Sequence, residues 1–261
     1  MHKAGTPFFI AILRRIASLK LTVVLLLILA VLVIGGTVTQ AGSGIHAAQA
    51  RVFGSWLIWL AGAFPLPGML LVSLLLFLNL LATVIFRLRY RWPQAGLVLV
   101  HYGLLLLIGG GFFITVTARE YSLTLGEGES SRILAAADGG MKALLPMTIK
   151  LLDFTKSVHP GTDIPKSFSS RVEISTVGAR RQAVISMNRP LRCRGYTFFQ
   201  SSYGQDGRGG ESSTFLVVRN SGRWLPYAAS ALLILGLAGH FLAMLAAALK
   251  KTRPAEEHRR P

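Results

Sequence analysis

One cysteine, Cys193, stands in 261 residues. A lone thiol forms no intramolecular disulfide, no C-x-x-C redox pair and no C-x-x-C-H haem-attachment site. The chain is therefore neither a thiol–disulfide carrier nor itself a c-type cytochrome. Cys193 reads as a small, partly buried residue rather than a nucleophile. Acids are the second scarcity, 11 Asp+Glu against 28 Lys+Arg. None falls within the long apolar runs, which leaves a proton relay or ion pump without its usual carboxylates. Long basic runs and nucleic-acid-binding motifs are also missing, so a net charge of +17 does not imply nucleic acid.

Apolar residues make up 52% of the chain. They are segregated from the basic stretches, the pattern of a membrane protein. Lys3, Arg14, Arg15 and Lys20 precede the run Leu21–Ile34, which predicts a first span over 17–38. A cleavable leader also begins with basic residues and an apolar run. No small-x-small site precedes Ala41 and further spans follow, so a retained helix with a cytoplasmic N-terminus is expected. In the loop after it, Phe53, Trp56 and Trp59 are spaced for a short interfacial helix over 53–60, and His46 has no evident role.

A second span is expected over 69–86, with Asn79 placed to hydrogen-bond another helix. A connection carrying Arg87, Arg89 and Arg91 with no acid marks the inner side, and a third span covers 95–116. The fourth, 224–249, opens on Trp224 and Tyr227 and closes on Lys250, Lys251 and Arg253.

Residues 118–223 differ in kind. Six β-rich stretches recur, at 121–125, 147–151, 170–174, 183–187, 196–199 and 214–218, separated by Gly, Pro, Asn and Asp clusters such as 126–128, 138–140, 188–190 and 207–210. That is the pattern of an all-β sandwich or small barrel. The expected fold is four transmembrane α-helices with an extracytoplasmic all-β domain inserted between helices 3 and 4. It divides into a membrane region 1–117, a β domain 118–223, a last helix 224–249 and a basic cytoplasmic tail 250–261.

Two histidines lie within spans. By residue count His101 sits about 9 Å and His240 about 14 Å from the inner side, so both fall in the inner half of the bilayer. Neutral imidazoles there can ligate one metal or haem iron together, each pair with a ligand on another subunit, or only hydrogen-bond a neighbouring helix. Gly103, beside Tyr102, lets a neighbouring helix approach closely. The β domain carries 15 Lys+Arg against 9 Asp+Glu, a basic excess suited to an anionic partner and equally to a merely solvated surface.

Several stretches resemble a known family. They are 99–104 with His101, Gly109-Gly110-Gly111, Leu125-Gly126-Glu127-Gly128-Glu129, residues 160–168, Met187-Asn188-Arg189-Pro190-Leu191, and Gly195-Tyr196-Thr197-Phe198-Phe199-Gln200-Ser201-Ser202-Tyr203-Gly204. In order and topology they resemble ResB (CcsB), one of two membrane subunits of System II cytochrome c maturation. The chain departs from the pattern before the last helix, where Asn220-Ser221-Gly222 replaces an Asp-Pro-Gly-like turn, and in its compact outer domain.

The resemblance implies a role with a CcsA (ResC) partner, carrying haem b across the bacterial inner membrane to an apocytochrome c. The resemblance makes His101 a haem-iron ligand paired with one on the partner. His240 is a second candidate haem ligand without a matching position in the family pattern. The family's tryptophan-rich segment belongs to the partner, and Trp56, Trp59, Trp92 and Trp224 are scattered. No autonomous catalytic site is expected in this chain. The competing reading is a structural scaffold that docks apocytochrome c or a thiol reductant while the partner holds the haem.

Overall fold

The computed structural model describes residues 14–43, 48–60, 62–136, 142–162, 165–205 and 210–252. His46, the turns expected at 138–140 and 207–209, and the tail from Arg253 onward lie outside them. Two compact units form, one from the chain up to Phe112 together with Trp224 onward, the other from Phe113–Arg223.

Four helices in the first unit are long and apolar enough to cross a bilayer, which makes the chain a multi-pass membrane protein. They are α1 (Leu19–Ser43), α2 (Met69–Phe86), α3 (Ala95–Thr117) and α4 (Leu225–Thr252). Asn79 of α2 is buried. Its side-chain oxygen accepts the Thr22 hydroxyl of α1 at 2.7 Å, and its Nδ2 donates to the carbonyls of Ile16 and Ser18. A polar side chain inside a span thus finds three partners at the start of the neighbouring helix. Asn79→Leu leaves those groups unmatched and is expected to lower the thermal midpoint of the detergent-solubilised chain. The loss should be about 1–2 kcal/mol, the range for interhelical hydrogen bonds in membranes.

Between α1 and α2 the chain departs from the expected interfacial helix. A π-helical turn (Gln49–Phe53) ends at Gly54, and the Phe53 ring packs on Gly36 of α1. A two-stranded hairpin follows, β1 (Leu57–Leu60) antiparallel to β2 (Phe64–Pro67), turning at Gly62 with φ +73°. The aromatic spacing suits a helix. Gly54, however, interrupts it, the turn needs a left-handed residue, and Pro65 and Pro67 cannot continue a helix.

The second unit is one eight-stranded antiparallel sheet in the order β7-β6-β5-β4-β3-β10-β9-β8. Its strands are β3 (Arg119–Gly126), β4 (Ser130–Ala136), β5 (Ala143–Val158), β6 (Pro165–Thr176), β7 (Ala179–Ser186), β8 (Leu191–Cys193), β9 (Tyr196–Gln205) and β10 (Glu211–Arg219). Each of the six expected stretches falls on a strand, except that Met187 of 183–187 lies in the turn after β7. β4 and β8 are additional: β4 carries Arg132 inside an irregular register and β8 is three residues long, so neither shows a clean alternation.

The sheet rolls over on itself. β6 and β9 are second from opposite edges, yet Ser170 of β6 donates to Gln200 Oε1 of β9 at 2.8 Å. Gln200 Nε2 donates to Ser213 Oγ of β10 at 2.7 Å, and the two serine hydroxyls lie 2.8 Å apart. This buried polar ring is internally satisfied and pins the two halves in one register. The enclosed core includes Leu125, Leu134, Ile149, Val172, Ile185, Leu191, Phe198, Phe215 and Val217, contributed by all eight strands. Alternation along β9 buries Tyr196, Phe198 and Gln200 and turns Phe199 outward. The aromatic-rich stretch singled out in the sequence is thereby largely core. Tyr203 stacks on Phe154 with centroids 5.7 Å apart.

The Leu125-Gly126-Glu127-Gly128-Glu129 stretch is a tight turn. Glu129 N donates to Gly126 O at 3.0 Å, and Gly128 supplies the φ of +81° that the third turn position requires. Both carboxylates are used by the backbone: Glu129 accepts from Gly126 N at 2.8 Å and Glu127 from Phe154 N at 2.7 Å. The second contact matters because the β5–β6 register slips between Leu151 and Asp153. Glu127 accepts the amide of Phe154, the second residue paired after the slip. Glu127→Ala orphans that donor, so the β domain is expected to lose about 1.5–3 kcal/mol, read as a lower denaturant midpoint.

Candidate functional site

Gly96, Gly103 and Gly110 recur every seven residues on α3 and face α4. A methyl group built on Gly96 would meet Gly236 O at 2.6 Å and His240 Cα at 2.9 Å; on Gly103 it would meet Leu233 at 3.0 Å and Ala229 O at 3.2 Å; on Gly110, Leu225 Cβ at 2.9 Å. The residue numbers on α4 fall as those on α3 rise, so the two helices pack antiparallel with their backbones nearly touching at Gly96 and Gly236. A heptad repeat of contacts holds one face toward the partner helix over its length. α2 packs elsewhere on α3, with the Phe77 ring 3.2 Å from a methyl built on Gly109.

This seam fixes where the two histidines sit. At about 100° per residue, His101 projects about 160° away from the Gly96–Gly103–Gly110 line, on the face of α3 turned from α4. His240 lies on the other side of the seam, its backbone against Gly96, which is about 7.5 Å along α3 from His101. The structure therefore does not bring the two imidazoles together within one chain. Among the described residues, no cluster of three or more His, Cys, Asp or Glu could hold a metal ion.

The His101 ring is oriented by its own helix. Nδ1 lies 2.8 Å from the Leu97 carbonyl oxygen. A carbonyl only accepts, so Nδ1 carries the proton, and in the neutral ring the lone pair is left on Nε2. A donor bond from one imidazole nitrogen that leaves the other as a base is the arrangement of metal- and haem-ligating histidines. The surrounding positions at i−4, i+3, i+4 and i+7 are Leu97, Leu104, Leu105 and Ile108, an apolar wall on the same helix face. Such a wall and one unprotonated ring nitrogen fit the flat, apolar macrocycle of haem and its iron.

A cleft of about 330 Å³ opens at the start of α3, lined by Tyr90, Arg91, Trp92, Ala95, Val98 and Leu99. Val98 is one turn before His101. The cleft is mainly apolar; its polar lining residues are Arg91, Trp92 and Tyr90, and the Tyr90 hydroxyl donates to Val84 O at 3.1 Å and lies 3.3 Å from the Tyr102 hydroxyl. The Tyr102 hydrogen bond holds the Tyr90 phenol above its ordinary pKa, so it stays neutral. An arginine at the rim of an apolar cleft suits an amphiphile with an acidic edge.

His240 is different. Its Nδ1 is buried with no hydrogen-bond partner among the described residues, and its ring lies 5.8 Å from that of Phe241. Of the residues missed in the sequence, Tyr90 and Arg91 carry the clearest signal in retrospect: a tyrosine and an arginine between two spans, flanking an interfacial tryptophan. Cys193 is half-buried and packs against the β core.

A membrane helix bundle presenting one oriented histidine and carrying a rolled β domain between its last two helices defines the class. The ResB-like family matches residues 82–216, and the chain belongs to that family. It is also similar to Protein NrfI of Wolinella succinogenes, 32% identical over 109 residues. That match covers 41% of this chain and 12% of the length of NrfI.

Proposed function

We propose that this chain is a membrane subunit of a System II cytochrome c maturation complex. In this reading it takes up haem b at the start of α3 and holds the iron through His101. The haem then passes to the outer face for attachment to apocytochrome c. The observation that carries the reading is the His101 ring, with Nδ1 engaged by Leu97 and no partner for Nε2 among the described residues, on a face turned from α4. Family membership supports the coarser part, a place in cytochrome c biogenesis beside a partner membrane protein.

In this reading the partner is of the CcsA/ResC type and would supply the second ligand to the iron, and the position of His240 on the other side of the α3–α4 seam is consistent with that. The arginines at 87, 89 and 91 and the lysines at 250 and 251 favour a cytoplasmic position for both termini. Residues 118–223 are then periplasmic, on the outer side of a bacterial inner membrane. The cleft at Tyr90–Leu99 offers Arg91 to the propionates and apolar walls to the ring. Thioether formation falls to the partner, and this chain's own part is to bind and orient.

The test is to co-express the chain with its partner, purify the complex and measure its haem by visible spectrum and pyridine haemochrome. Haem b bound only when this chain is present supports the reading. Haem retained in full by the partner alone would instead leave this chain the scaffold for apocytochrome c or a thiol reductant.

A further inference from the structure

The rolled sheet stops one strand pair short of closing into a barrel, and the gap is basic. β7 runs into β8 through a two-residue turn at which Ser186 and Arg189 exchange both backbone hydrogen bonds, at 3.2 and 3.0 Å. The ladder between β7 and β8 ends at that bridge. β8 instead pairs with β9, and β7 with β6. Past the bridge the two edge strands part around a cleft of about 570 Å³, bounded by residues 181–184 of β7 and 189–192 of the turn and β8.

Both strands bounding the cleft are the outer members of the sheet, so each has one row of backbone donors and acceptors outside the ladder. Arg181, Arg189 and Arg192 line the cleft, and no carboxylate does. Arg180 and Arg194 flank it, both exposed. The ion pair among the described residues, Arg171 with Asp153 at 3.9 Å, leaves these arginines unneutralised. Val184, 50% exposed, adds an apolar contact. A small anion would use the guanidinium groups and ignore the strand edges, whereas an extended chain with acidic side chains uses both.

We propose that the cleft between β7 and β8 docks an extended acidic segment of another polypeptide, which adds as a strand to the free sheet edge. This is independent of haem binding at His101. The test titrates the detergent-purified full chain with a fluorescein-labelled octapeptide of alternating glutamate and valine, followed by anisotropy. Saturable binding is expected, weakened at least about tenfold in Arg181→Ala and in Arg192→Ala, the effect of one charge-assisted hydrogen bond.

The same peptide with a central valine replaced by proline keeps its charge and cannot form a strand. It should bind at least about tenfold more weakly to the unaltered chain. That comparison decides the matter even if an arginine variant fails to fold. Equal binding of the proline peptide, displacement by inorganic phosphate at constant ionic strength, arginine variants that fold and bind unchanged, or no binding of the parent peptide would each overturn the proposal. So would a concentration-dependent dimer that shuts the peptide out, since the edge would then belong to a second copy of this chain.

Discussion

In His101→Ala the low-spin haem band of the purified complex is expected to vanish, and in His101→Gly it is expected to return on addition of imidazole. The expectation follows from the ring's geometry. Because Nδ1 donates to Leu97 O at 2.8 Å, the only lone pair the neutral His101 ring offers is on Nε2, and the residue stands on the face of α3 turned from α4. Removing a group that merely orients a metal ligand costs about 10–100-fold in affinity, so deleting the ligand itself should lower retained haem by at least that much. Free imidazole can fill the space the ring leaves in the glycine variant and restore the axial bond. The alanine variant controls for the weaker helix propensity of glycine, about 1 kcal/mol.

His240→Ala is the internal comparison. Its Nδ1 is buried without a partner, so truncation removes an uncompensated polar atom and leaves the face carrying His101 untouched. The band should persist. An unchanged band in His101→Ala would end the assignment and move the search for a ligand to His240 or to the partner subunit.

How much of this was legible in the sequence depends on the range of the interaction. Spans are set by runs of some twenty apolar residues, and all four are found. Asn79 and Gly103 were also readable, since a polar or a missing side chain inside a span calls for a neighbour. What the sequence hides is rotation. Counting residues places His101 and His240 in the same half of the bilayer. Only the packing of Gly96 against Gly236 and His240 shows that the seam separates them, and that α4 runs about 18 Å beyond His240.

The β domain divides the same way. Strands with clean alternation were visible, but the ring of Ser170, Gln200 and Ser213 joins residues 13 to 43 apart that no local pattern connects. Glu127 belongs to a stretch that the family resemblance marks. Its task, accepting the amide of Phe154 beside a register slip, exists only once β5 has paired with β6. At 53–67 the aromatic spacing points to a helix, whereas Gly54, Pro65 and Pro67 are what turn the chain into the hairpin at 57–67.

Alanine substitutions along the glycine seam should separate packing from ligation, and their order is set by what each new methyl meets. Gly96→Ala is expected to be the most damaging. Its neighbours there are backbone atoms of α4, Gly236 O at 2.6 Å and His240 Cα at 2.9 Å, which cannot rotate aside, so the helices must part. Overpacking of this kind costs about 1–3 kcal/mol. Gly110→Ala meets Leu225 Cβ at 2.9 Å and should follow. Gly103→Ala meets the Leu233 side chain at 3.0 Å and its nearest backbone atom, Ala229 O, only at 3.2 Å, and should be milder. Gly111→Ala meets nothing within 4 Å and should gain up to about 1 kcal/mol of helix propensity.

Thermal unfolding of the four variants in one detergent gives the ranking, and an equal loss at Gly96 and Gly111 would contradict the packing described here. The haem spectrum of the same samples adds a second reading. Gly96→Ala displaces His240 and leaves His101 on the far face of α3. Any Gly96→Ala protein that still assembles with the partner should therefore keep its haem band while melting earlier. Loss of the band in step with the melting point would mean instead that α4 contributes to the haem site.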